Sequence, residues 1–506
     1  MKFNDSNRCK KNDALLRHSA LMLALAGIFS LGSGIARADE AACTAMGGTM
    51  ENGVCVVKRT SMDSGKEPTV NTDLALESPV TVTEDTIVQG VKEWTAQFVI
   101  ADGIENTFTI TNGADVKFMG GEDAQGAMGV YALSLNGGNG TLNVENGSLT
   151  ISGRAESFMD TDNAYAYGLY AFSCGSSAKA EINVKSGSKL HVDWGGAYAF
   201  ATGGASAVVN VAQGGSLTTG SLSDFENNPE AFMLSGMPIA KVTDADSKLQ
   251  INNAGTVYLL ASEYGNLNIK NEGPYASLTL AGLEVGVTAS GDEDDIVLEN
   301  TGGAIADVAF TGKLSVVNDS ESRLTIRKRQ LDSDAAGTHQ YISRIENSGI
   351  IDIYSDVLNP GYENNATSTI INNKSGKITF HDALLNREGN NNNIVNVDNF
   401  GSMEIGAALA GSMYGMSVPA TDRVVLTNGS GAVLTFNDQS NYLVRGSGDV
   451  KIDNQGTVKL TENSLSCLAL VQNGAYDNVH IEYVNQSAGT TSLYAKNMFE
   501  IKKRGE

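Results

Sequence analysis

Apolar and polar residues alternate along most of this chain in short runs that break at Asn, and the break recurs. Residues 142–151, LNVENGSLTI, carry Leu142 and Val144 before the break and Leu149 and Ile151 after it. Period-2 alternation predicts a strand with one face inward on each side of a turn. One copy reads as a hairpin, but the chain holds thirteen. Their turn positions are Asn112, Asn146, Ser186, Gln213, Asn253, Asn271, Asn300, Asn318, Asn347, Asn373, Asn399, Asn428 and Asn454. Successive gaps run from 18 to 40 residues and settle at 26 to 29 over the last five. Such gaps are too long for a meander of consecutive strands and match single turns of a solenoid with loops inserted.

A second repeat supplies a further strand. GVYALS (129–134), GLYAFS (168–173) and GAYAFA (196–201) each precede a turn position by 14 to 18 residues. Three strands per coil are what a parallel β-helix needs, so the reading is all-β, a β-solenoid of about thirteen or more coils with three short strands each. Asn and Gly tolerate the left-handed angles of a corner. Stacking places equivalent Asn side chains about 4.8 Å apart, close enough for an amide ladder. Tyr131, Tyr170 and Tyr198 should stack as well, as an inward aromatic row; facing outward they would form a flat strip for a glycan or protein.

The first 38 residues differ from the rest. A basic stretch (Lys2 to Arg17), an apolar run from Ala20 to Leu31 and the small residues Ala36 and Ala38 form a secretory signal peptide, with cleavage expected after Ala38. The apolar run is too short for a bilayer core of about 30 Å. The domain reading is therefore signal peptide 1–38, Cys-containing N-terminal segment or cap 39–69, β-helix 70–490 and tail 491–506. The whole chain carries a net charge of −23; residues 1–38 hold six Lys or Arg and two Asp, which leaves −27 on the remainder. That surface disfavours nucleic acid. The acidic run GDEDD (291–295) reads as a solvated loop tip, with a calcium site as the weaker alternative.

Cys43 and Cys55 flank a Gly-rich loop and are expected to pair in an oxidising compartment. Cys174 and Cys467 lie about ten coils apart, roughly 50 Å. A disulfide needs Cα atoms within about 7 Å, so these two are expected as free thiols, with an intermolecular role for Cys467 as the alternative.

With its signal peptide, Asn-x-Gly coils and GxYA strands, the segment 70–490 resembles the passenger domains of bacterial autotransporters of the adhesin and self-associating type. The resemblance implies a right-handed helix, export to the periplasm, cell surface or medium, and adhesion as the role. The implied partners are a host-cell surface glycan or protein, or a second copy of the chain. The family's C-terminal membrane β-barrel finds no room after the last repeat. Membrane association is therefore expected only through a separate or missing barrel, and a remnant without present function is a further reading. The two-partner haemagglutinin class is a rival, but its NPNG-like signature is not visible.

No cofactor or metal is expected, and no catalytic residue. His191, His339, His381 and His480 fall in unrelated coils, and NGSGA (428–432) and RGSGD (445–449) read as turns rather than nucleophile elbows. A polysaccharide lyase or hydrolase is the enzymatic alternative, with Asp160 and Asp162, or Asp332 and Asp334, as carboxylate pairs.

Overall fold

The structure is a computed structural model. It describes the strands and most of the corners between residues 49 and 503. The longer stretches outside the description are 1–48, 58–72, 120–127, 153–167, 220–239, 283–294, 328–339, 355–365, 407–413, 461–466 and 474–479. Signal peptide, cleavage site, Cys43, His339 and both candidate carboxylate pairs therefore lie outside the described residues. Every regular element among those described is a β-strand. The fold is a right-handed parallel β-helix, and the chain divides into two compact units, 1–270 with 275–285, and 271–274 with 286–506.

In the first unit the alternation noted in the sequence becomes three stacks of parallel strands. One stack holds Glu105–Ile110, Asn139–Val144, Lys179–Val184, Ser206–Val211 and Lys248–Asn253, paired in unbroken register. A second holds Asp115–Met119, Ser148–Ser152, Lys189–Val192, Ser216–Thr219, Thr256–Ala261 and Ser277–Gly282. The third contains the GxYA strands. Residues 142–144 pair with 108–110 and 182–184, and residues 149–151 with 116–118 and 190–192, all parallel. No hairpin joins them. The one antiparallel pair among the described residues, Thr49–Glu51 with Val54–Val57, stands at the start of the first unit.

The second unit repeats the plan. Asp295–Thr301, Gly312–Asn318, Gln340–Asn347, Thr367–Asn372, Ile394–Asn399, Arg423–Asn428, Asp449–Asn454 and His480–Asn485 form one parallel stack. The strands from Ile305–Ala309 to Thr490–Ser492 form the next. A third stack is described only from Leu385–Asn386 onward. The coil between Asn300 and Asn318 departs from three strands. Only residues 310 and 311 separate its strand Ile305–Ala309 from Gly312–Asn318, so it makes two.

Alternation fills the interior with matched rows. Phe108, Leu142, Ile182, Val209 and Ile251 stack in the first unit, and Leu324, Ile351, Ile378, Met403, Leu434 and Val458 in the second, all buried. Each such side chain contributes about 1.5–3 kcal/mol of gross burial. Because the rows run between coils, no coil can bury its apolar side chains alone.

Candidate functional site

The most ordered polar feature is inside the helix. In the second unit nine buried or corner Asn side chains form one chain of hydrogen bonds. Asn271 Nδ2 donates to Asn300 Oδ1 at 2.8 Å, Asn300 to Asn318 at 2.8 Å, Asn318 to Asn347 at 2.9 Å and Asn347 to Asn372 at 3.0 Å. Asn372 donates to Asn399, Asn399 to Asn428 and Asn428 to Asn454, each at 2.8 Å, and Asn454 to Asn485 at 2.7 Å. The amides also close the corners. Asn399 Nδ2 donates to Val433 O at 3.1 Å, and its Oδ1 accepts from Gly401 N–H at 3.3 Å. Asn454 and Asn347 repeat both contacts. A buried amide group is costly without partners, and here donors and acceptors are both engaged.

The ladder follows strand register, and Asn271, Asn300, Asn318, Asn347, Asn399, Asn428 and Asn454 are turn positions read from the sequence, whereas the other sequence-read positions do not all fall in that register place. In the first unit that register place belongs to Ile110, Val144, Val184, Val211 and then Asn253. Asn112 and Asn146 therefore stand outside it, two residues farther on, exposed, with left-handed φ of 61° and 55°. Asn373 is likewise outside: its Nδ2 donates to Ser348 Oγ at 3.0 Å, while Asn372 takes the ladder place. Asn372 and Asn485 are the members missed from sequence. Aligning text on Asn-x-Gly matches corners, whereas the ladder follows strand register.

Two places after the ladder Asn, Gly273 and Gly302 have the expected left-handed φ, 104° and 69°, but the glycine has a different reason at three later corners. Gly349, Gly401 and Gly456 are not left-handed. They are needed for contact between coils: a Cβ on Gly401 would meet Gly376 O at 2.3 Å, and one on Gly349 would meet Asp319 O at 2.1 Å. Asp319 caps the adjacent corner, accepting from Gly302 N–H and Ser322 Oγ, both at 2.6 Å. Burial pushes its carboxyl up, but these hydrogen bonds outweigh that and hold it below the ordinary carboxylate range.

Two outward features follow. On the first unit a half-buried row runs Thr109, Asn143, Asn183, Asn210, Asn252. Asn183 donates to Asn143 at 2.9 Å, Asn210 to Asn183 at 2.7 Å and Asn252 to Asn210 at 2.7 Å. The repeated tripeptides LNV, INV and VNV (142–144, 182–184, 209–211) are its sequence signal, and the reading from Asn-x-Gly passes over them. On the second unit the Tyr354 and His381 rings stack at 3.9 Å, and the Arg327 guanidinium lies over Tyr354 at 5.3 Å. Arg327 also grips both oxygens of Asp307, and His381 Nε2 lies 3.4 Å from Asp352.

The other expected groups do not converge. His191 Nδ1 lies 2.7 Å from Thr218 Oγ1 in the first unit, and His480 pairs through its backbone with Asp449 in the second. Tyr131, Tyr170 and Tyr198 share one register position, together with Phe98, while their side chains lie outside the description. So do those of Cys55, Cys174 and Cys467. Among the described residues no three His, Cys, Asp or Glu side chains gather as metal ligands.

No family model matches the chain, and no curated protein matches it. Among solved structures it is similar to "Crystal structure of TibC-catalyzed hyper-glycosylated TibA55-350 fragment", at 12% identity over 82% of this chain and 100% of that one, with a TM-score of 0.18. So weak a likeness adds nothing to the fold, which rests on the strand pairings above.

Proposed function

We propose that the chain is exported and acts at the cell surface or in the medium as a non-catalytic β-helix for adhesion or self-association. The observation that carries this reading is the outward amide row Asn143, Asn183, Asn210 and Asn252. Its members are fixed to one another and half-buried, and they repeat at the coil spacing of about 4.8 Å. A rigid, periodic hydrogen-bonding face suits a repetitive glycan, a flat protein surface or a second copy. The basic-apolar-small order of residues 1–38 supports export, and the acidic remainder fits an outside-facing protein rather than a nucleic-acid binder.

The test uses purified residues 39–506. Concentration-dependent sedimentation, or saturable binding to whole cells, supports the reading, and both should weaken when Asn183 and Asn210 are replaced by Asp. A protein that stays monomeric and binds no surface under any condition tried would overturn it. Depolymerisation of polysaccharides would replace it with the carbohydrate-active alternative.

A further inference from the structure

Seven Asn-Gly pairs occur in the chain, and four are described on both residues: 112–113, 139–140, 146–147 and 428–429. Asn-Gly is chemically labile. The glycine backbone nitrogen attacks the Asn side-chain carbonyl carbon, a five-membered succinimide closes, and ammonia leaves. Water then opens the ring at either carbonyl to give Asp or isoaspartate. The step needs a mobile Asn amide and a glycine N–H that is not tied up, so the fold decides which pair reacts.

Three of the four are protected. Gly113 N–H donates to Asn146 O, and Asn112 Nδ2 to Thr83 O at 3.3 Å. Gly140 N–H donates to Ser134 Oγ at 2.8 Å, in a buried setting. Gly429 N–H donates to Asn399 O at 2.8 Å, and the Asn428 amide is locked in the ladder. Asn146 differs on both counts. It is exposed, and neither its side-chain amide nor Gly147 N–H makes a hydrogen bond to any described residue. Asn112 and Asn146 share left-handed backbones, so hydrogen bonding rather than conformation separates them.

We propose that Asn146 is a site of spontaneous deamidation built into the fold. The lability cannot be removed cheaply at the glycine. A Cβ on Gly147 would lie 2.7 Å from Ala114 O and 3.0 Å from Ile110 Cγ2, so close packing of the coils holds glycine after Asn146. The isoaspartate product inserts a methylene into the main chain at a pinned corner. Glu145 N–H donates to Ile110 O at 2.7 Å, Asn146 N–H to Ser188 Oγ at 2.8 Å and Ser148 N–H to Ala114 O at 2.9 Å. Modification therefore adds a negative charge and strains contacts to the coils on both sides.

The experiment incubates the folded chain at mildly alkaline pH and follows each Asn-Gly by peptide mapping, with fragmentation that separates isoaspartate from Asp. Asn146 should convert several-fold faster than Asn112, Asn139 and Asn428, and in denaturant the four rates should converge. Asn146→Gln should abolish the change at that position and leave the other three rates as they were. Equal rates in the folded protein, or a lead by Asn112 or Asn428, would overturn the proposal. So would a lead by Asn146 that survives denaturant, because sequence rather than structure would then set it.

Discussion

Replacing Asn399 by Ala tests the interior ladder where it is most regular. The side chain makes four hydrogen bonds: from Asn372 Nδ2 at 2.8 Å, to Asn428 Oδ1 at 2.8 Å, to Val433 O at 3.1 Å and from Gly401 N–H at 3.3 Å. At about 0.5–1.5 kcal/mol net for each, their loss costs about 2–6 kcal/mol. The upper half of that range is expected, because Gly401 N–H is left buried without a side-chain acceptor. Asn372 limits the damage, since its Nδ2 keeps Gly376 O at 3.2 Å and Ser402 O at 2.9 Å. The control is Asn373→Ala, which loses one half-buried contact to Ser348 and should cost about 1 kcal/mol or less. Solenoids need not unfold in one step, so a single midpoint is a poor readout. Hydrogen exchange of peptides covering 394–436, alongside urea titration by circular dichroism, reads the affected coils directly. If the two variants lose protection equally, the ladder does not carry the stability assigned to it.

Other perturbations probe different parts of the scheme. Gly401→Ala should destabilise by about 1–3 kcal/mol through overlap with Gly376 O. Gly187→Ala has open space around its Cβ and only a left-handed φ of 76° to resist it, so it should cost about 1–2 kcal/mol; hydrogen exchange of the peptides around each glycine compares the two. Leu434→Ala in a buried row should cost about 2–5 kcal/mol by the same measurement. Asp319 makes stability depend on pH. Its carboxyl is lowered in the folded state, so its contribution is complete above the unfolded value near 3.9 and fades as pH falls through the lower folded one. Asp319→Asn should be less stable at neutral pH and lose less on acidification; an unchanged acid titration would show that the corner does not depend on the charge. Arg327→Ala breaks an exposed pair with Asp307 and should shift stability by about 1 kcal/mol or less.

The sequence by itself determined the coil. Alternation and spacing are local properties of a strand, so Leu142, Val144, Leu149 and Ile151 could be assigned inward and to separate strands before any pairing was known. The recurrence of Asn corners at 26 to 29 residues then required parallel stacking. Register was another matter. Asn112 and Asn146 look like Asn399 in the text, yet they stand two places past Ile110 and Val144, where an apolar residue fills the ladder position. Asn372 and Asn373 are neighbours, and only pairing with Asn347 and Asn399 selects the first. The role of Gly401 was equally hidden, because the atom it must avoid belongs to Gly376 in the coil before. Tertiary structure decided these points because a ladder is a relation between coils. Each amide takes its meaning from a partner some 18 to 31 residues away, and no window along one strand contains both.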